Sequence, residues 1–306
     1  MASGNYKDLL KNRGFSSFLF VQFLGAFNDN VYKIVLSMFA VAAATDAGGG
    51  SRELSLVGAV FIIPFLLFSG YAGHLADVFN KRTVLIVTNS MEVLTMGLGT
   101  FALLSGRSDF MLFVLFLIAL QSTLFSPAKY GILPEMLPDR DLSRANGLVE
   151  MTTFLAIIMG TAIGSVLFTI WKDQLVWIGI ALTAIAVLGF LASFWIAKVP
   201  SPTITKPFQI NPWGEIIVGI RHLYQDKPLW LTVMGMTYFW FLGALFQMVI
   251  LLFGKEVLKV DSFQTGLLVT ALALGIGFGS MAAGRFSGDK VELGLVPLGA
   301  AGMGVF

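Results

Sequence analysis

The sequence predicts an all-α polytopic membrane protein of bundled helices, and three observations carry that prediction. Hydrophobic residues make up 56% of the 306 positions and charged residues 12%, with a mean hydropathy of +0.82. Soluble domains hold about 45–50% apolar and about 25% charged residues. Apolar runs long enough to cross a bilayer, about 20 residues, recur at roughly 15–42, 55–77, 83–105, 109–132, 145–170, 174–197, 229–254 and 262–284. A ninth begins near 292 and is cut off at Phe306, so the chain is expected to be a truncated sequence with an incomplete second bundle. Finally, the connections alternate in basic content. One side collects 13 residues: Lys7, Lys11, Arg13, Lys81, Arg82, Arg140, Arg144, Lys198, Lys206, Arg221, Lys227, Arg285 and Lys290. The other has 5: Arg52, Arg107, Lys172, Lys255 and Lys259. This bias places the N-terminus and the loops after even-numbered spans in the cytoplasm.

Composition also excludes whole classes. A net charge of +2 gives no footing for nucleic acid, and zero cysteines rule out disulfides and thiolate metal sites. His74 and His222 lack metal-ligand spacing, and no Ser/His/Asp arrangement or phosphate loop appears. Neither cofactor nor catalysis is expected. The polar start "MASGNYKDLLKNRGF" and the long apolar run behind it do not read as a signal peptide.

Span 1 contains "FLGAFNDN" at 23–30, with Lys33 one turn later. Asp29 lies 14 residues beyond Phe15, about 21 Å along the helix and near the midplane. Gln22, Ala26, Asp29 and Lys33 follow spacings of 4, 3 and 4 and so share one face. The functional reading is a cavity-facing pair that meets a polar headgroup. The alternative is an i,i+4 charge pair that only ties span 1 to a neighbour. Span 2 ends in "GHLADVFNKR" at 73–82: Gly73 would let helices approach closely, Asp77 would bond a neighbouring helix, and Lys81 and Arg82 would anchor the turn at the inner leaflet. Span 3 holds Glu92 about 15 Å deep, with Asn89 one turn before; it either bonds a neighbour or faces lipid as a lateral access path.

Span 4 carries Gln121, expected to face the cavity, and closes on Pro127 and Lys129. Lys129 is a natural partner for Glu150, in span 5, or for Asp77, as a gate or as a plain helix-end tether. Gly160 and Gly164 give span 5 a GxxxG packing face. The first six spans form one bundle, residues 1–197. Residues 198–228 form a proline-marked cytoplasmic linker, where Asn211 and Pro212 open an amphipathic helix expected to lie on the inner leaflet. Residues 229–306 supply spans 7 and 8 and the start of 9. Span 7 repeats the tetrad as "FLGALFQM" at 241–248, which sets Gln247 opposite Asp29 in an internal repeat.

The 73–82 turn matches Gly-x-x-x-Asp-x-x-x-(Arg/Lys)-Arg and resembles the signature of the major facilitator superfamily, with a degenerate counterpart "GRFSGDK" at 284–290 that includes Arg285. More narrowly, "QFLGAFNDNVYK" at 22–33, "FSPAKYGILPEML" at 125–137 and "ANGLVEMT" at 145–152 resemble the bacterial lysophospholipid transporter family. They look especially like its branch fused to acyltransferase and acyl-ligase domains. The resemblance covers the whole chain and implies alternating access, with lysophospholipids carried to the inner leaflet of the bacterial cytoplasmic membrane for reacylation. It also implies acyltransferase or acyl-ligase partners in cis or in trans. On this reading Gln22, Asn28, Asp29, Asn30, Lys33, Gln121, Glu150 and Gln247 bind substrate, while Gly73, Asp77, Lys81, Arg82, Lys129 and Arg285 control gating. One departure stands out: stand-alone members tend to carry an arginine where this chain has Gln247. Two rivals stay open. One is a proton-coupled antiporter or symporter of drugs or small solutes, with Asp29 or Glu92 as proton carrier. The other is the membrane module of a fused acyltransferase–ligase, acting as anchor and funnel.

Overall fold

The computed structural model describes residues 6–43, 49–200, 212–253, 257–259, 262–287, 292 and 294–305. The helices in chain order are α1 (Tyr6–Lys11), α2 (Arg13–Ala43), α3 (Gly49–Val78), α4 (Lys81–Ser105), α5 (Ser108–Gly131), α6 (Leu133–Met136), α7 (Asp139–Trp171), α8 (Val176–Ser193), α9 (Pro212–Gln225), α10 (Lys227–Leu252), α11 (Ser262–Phe286) and α12 (Leu295–Val305). No strand occurs among the described residues. The eight expected spans correspond to α2, α3, α4, α5, α7, α8, α10 and α11. Of these, α3, α4, α5, α7 and α8 are long and apolar enough to cross a membrane by length and composition. In α2 the apolar average is pulled down by the cluster around Asp29, although its 31 residues are ample in length. α10 and α11 have 26 and 25 residues, about 38 Å each at 1.5 Å per residue.

α2 is the hub, packing on α3, α5, α7 and α8, while α4 packs on α5 and α8. Two apolar layers fill the interior. One joins Phe15 and Phe18 of α2 to Leu85 of α4 and to Ala128, Ile132 and Leu133. The other joins Val31, Tyr32 and Val35 of α2 to Met96 of α4, Leu115 and Ile118 of α5, and Ile178 of α8. Along each of α2, α4 and α5, the stretch between these layers carries the buried polar residues: Gln22, Asn28 and Asp29; Asn89 and Glu92; Gln121 and Thr123. A polar slab therefore lies between two oily ones. Burying such groups is costly unless they are hydrogen-bonded, so their partners define the site.

Small residues set how closely the elements approach. A Cβ on Gly160 would lie 2.8 Å from Phe27 O and 3.0 Å from Asn30 Cβ, and one on Gly164 2.5 Å from Ile34 Cγ2 and 3.1 Å from Val31 Cα. The GxxxG face of α7 thus seats directly on the polar segment of α2. Gly73 departs from expectation, because no atom of the described residues lies within 4 Å of a Cβ built there. Close helix approach does not explain that glycine.

At the face where the chain starts, α7 meets α11. A Cβ on Gly147 would lie 2.7 Å from Ser280 O, and one on Gly284 2.7 Å from the Tyr6 hydroxyl, which donates to Met281 O (2.6 Å). Burial pushes the Tyr6 hydroxyl above the ordinary tyrosine range, opposed by the Arg144 and Arg285 charges, so it stays a donor at neutral pH. The proline-rich stretch and Asn211 of the expected linker, like positions 288–290 of the second turn motif, lie outside the described residues. α9 begins at Pro212, and its Ile217, Ile220 and Tyr224 are exposed.

Candidate functional site

The residues of α2 fan out to four neighbours. Asn28, fully buried, donates from Nδ2 to Glu92 Oε1 of α4 (3.0 Å) and to Leu182 O of α8 (3.2 Å). Glu92 is 3% exposed; it bonds a neighbouring helix and does not face lipid. Asp29 Oδ2 accepts from the Ser122 hydroxyl of α5. Its Oδ1 and Asn28 Oδ1 are buried with no hydrogen-bond partner among the described residues. Asn30 turns back to Ala26 O (2.7 Å). Lys33 is half-buried, and its Nζ lies 4.7 Å from the centre of the Phe61 ring on α3, not on the Asp29 carboxylate. Cation–π contact of this kind is worth about 0.5–2 kcal/mol depending on desolvation.

Around Lys33 opens a groove of about 350 Å³, walled by Ile34, Ser37, Leu54, Val57, Gly58, Phe61, Ile62 and Thr161. This is a cation at the mouth of an apolar trough. One turn before it, Asp29 holds a buried carboxylate oxygen with no hydrogen-bond partner among the described residues.

A second polar group lies two to three turns away, toward the start of α2. Gln22 Nε2 donates to Thr152 Oγ1 (2.6 Å), Thr153 donates to Gln22 Oε1 (2.9 Å), and Lys129 Nζ donates to Thr153 Oγ1 (2.9 Å). Lys129 also sits 5.2 Å from the Tyr130 ring centre. The expected direct partnership of Lys129 with Glu150 or Asp77 is replaced by these contacts: Glu150 Oε1 accepts from the Tyr130 hydroxyl instead (2.8 Å). Gln121 likewise departs from expectation. Its Nε2 donates to Thr88 O (3.1 Å) and its side chain is buried against α4, so it braces the slab and does not face a cavity.

The turn after α3 is tied down from three sides. Lys81 pairs with Glu135 of α6, and Arg82 donates to Ile196 O (2.8 Å) and Phe194 O (2.7 Å) past the end of α8. Asn80 caps α4 through Thr83 N and donates to Val199 O (2.8 Å). Asp77 and Arg285 are exposed. Position 247 lies on α10, and its side chain is outside the described set.

Sequence reasoning missed Ser122, Tyr130, Thr152, Thr153 and Phe61, the partners that complete both groups. Hydroxyl and aromatic residues are common in membrane helices, and only Tyr130, next to Lys129 in "AKYG", carried a positional hint.

A helical bundle of apolar spans around a polar mid-layer defines a polytopic membrane protein of the transporter class. A family profile described as Major Facilitator Superfamily matches residues 18–306, and the chain belongs to that superfamily. It is 28% identical over 295 residues to a protein of Photorhabdus laumondii named lysophospholipid transporter LplT, covering 95% of this chain and 70% of that protein. The Escherichia coli K12 protein of the same name is 27% identical over 279 residues, covering 90% and 67%. Among solved structures, the fold resembles the human organic anion transporter MFSD10 (TM-score 0.59, 13% identity, 89% of this chain and 72% of that one). It also resembles a POT peptide transporter in complex with sulfate (TM-score 0.51, 14% identity, 88% and 60%).

Proposed function

We propose that the chain moves lysophospholipids across the cytoplasmic membrane by alternating access, delivering them to the inner leaflet for reacylation. The observation that carries this reading is the Lys33 groove: a half-buried cation over Phe61, apolar walls of Ile34, Leu54, Val57 and Ile62, and Asp29 one turn away with Oδ1 unclaimed. An amphiphile with a phosphate and one acyl chain suits this arrangement. The phosphate pairs with Lys33, an amine such as ethanolamine approaches Asp29, and the single chain lies in the trough. Residues four apart on a helix stand about 5–6 Å apart at Cβ, a separation that a zwitterionic headgroup spans. The names of the LplT relatives support the same substrate class. The basic bias of the loops supports a cytoplasmic N-terminus, and the exposed apolar side of α9 supports its lying on the inner leaflet.

Residues 1–197, with α11 docked on α7, are read as the first bundle and part of the second. The chemistry needs no covalent step, so the protein acts as a carrier and not as an enzyme, and acyltransferase or acyl-ligase domains are the fitting consumers of its product.

The test is uptake of fluorescent lysophosphatidylethanolamine into proteoliposomes. Uptake should persist without a proton gradient and fall at least about tenfold, the loss of one charge contact, in Asp29→Asn. Uptake that requires the gradient, together with export of cationic dyes, would replace this reading with the proton-coupled one that the buried acids Asp29 and Glu92 make chemically reasonable.

A further inference from the structure

The two lysines within the spans are built alike. Lys33 lies over Phe61 (4.7 Å) and Lys129 over Tyr130 (5.2 Å). Neither lysine's contact is to an acid. Asp29 is held by Ser122 and Glu150 by Tyr130. Lys129 is 8% exposed and, among the described residues, gives one hydrogen bond, to the neutral Thr153 hydroxyl. An ammonium has three donors, and burying one without a directly paired counter-ion is unfavourable. A fixed tether would be served better by a direct Lys129–Glu150 pair, which the Tyr130 hydroxyl diverts.

The two lysines also sit at different depths. Lys129 is joined through Thr153 to Gln22, which precedes Lys33 by 11 residues on α2, about 16 Å along the axis.

We propose that Lys129 is a second phosphate station for the lipid headgroup, nearer the cytoplasmic side, with Glu150 taking the headgroup amine as Asp29 does at the first. The inference rests on the lysophospholipid reading above. On this scheme the phosphate is captured at Lys33 and passed to Lys129 as the bundle rocks. Thr153 and Gln22 hold Lys129 extended toward the path, and Tyr130 keeps Glu150 from neutralising it before the headgroup arrives.

The experiment uses the chain in proteoliposomes with fluorescent lysophosphatidylethanolamine, reading equilibrium binding from the outer face and translocation separately. Lys129→Gln should slow translocation by about tenfold or more while outer-face binding changes by less than about threefold, because capture occurs at Lys33. Lys129→Arg should restore translocation to within about threefold. Tyr130→Phe provides a variant that keeps the lysine. It frees Glu150 to pair with Lys129, so translocation should slow by about threefold to tenfold. Millimolar inorganic phosphate should not compete, and phosphate-free monoacylglycerol should move equally in wild type and Lys129→Gln. The station is overturned if Lys129→Gln translocates normally, if it loses binding and translocation in step with melting temperature, if Tyr130→Phe is neutral, or if free phosphate competes fully. Failure of the wild-type chain to bind any lysophospholipid would remove the substrate reading itself and the station with it.

Discussion

The tetrad FLGA occurs at 23–26 on α2 and again at 241–244 on α10, and the two copies live in opposite surroundings. On α2, a Cβ at Gly25 would lie 3.3 Å from Glu92 Oε2, so the glycine makes room for a buried acid. On α10, no atom of the described residues lies within 4 Å of a Cβ at Gly243, and Phe241 is 62% exposed. α10 packs along α9 and α11 and touches the first bundle where Trp240 stacks on Phe154 of α7 (6.0 Å). The same four residues thus serve as a spacer beside a polar slab in one place and as an outer surface in the other. What separates them is the sequence that follows, NDN and Lys33 after the first copy and LFQM after the second.

Substitutions at matched positions test this contrast by apparent melting temperature in detergent, ranked here from the largest expected loss. Asn28→Leu should be most severe, because it strands Glu92 without its donor inside the bundle, and losing the partner of a buried group costs about 1–3 kcal/mol or more when that group is charged. Gly25→Leu follows at about 1–3 kcal/mol for overpacking, since the new side chain must displace Glu92. Lys33→Met should cost under about 1 kcal/mol of stability but weaken lysophosphatidylethanolamine binding about tenfold. Gly243→Leu, in open space, should stay within about 0.5 kcal/mol of wild type. Equal losses at Gly25 and Gly243 would erase the distinction between the two copies.

Much of this architecture was legible in the residues. Segment positions follow from apolar length, and the GxxxG pair at Gly160 and Gly164 packs on α2 as its spacing implies. The mid-span location of Asp29, Asn28 and Glu92 was also readable, because charged groups in oily runs announce themselves. Their partners were not. On a helix, Gln22, Asp29 and Lys33 share a face by arithmetic, yet α2 is enclosed on several sides, so each reaches a different neighbour: Thr152 on α7, Ser122 on α5 and Phe61 on α3. Lys129 illustrates the same limit. Opposite charge nominated Glu150, but a tyrosine hydroxyl one residue away in sequence intercepts it. Gly73 shows the converse, a motif position whose packing rationale the described structure does not bear out.

The claim at the centre is that the polar ladder of α2 serves substrate and is not only a fastening between helices. Asp29→Asn tests it most directly, with gradient-free lysophosphatidylethanolamine uptake and melting temperature read on one preparation. The asparagine keeps an oxygen for Ser122, so the melting temperature should move by no more than about 2 °C, the shift of a fraction of a kcal/mol, while uptake falls at least about tenfold. Uptake that is unchanged, or that falls only in step with the melting temperature, would contradict it.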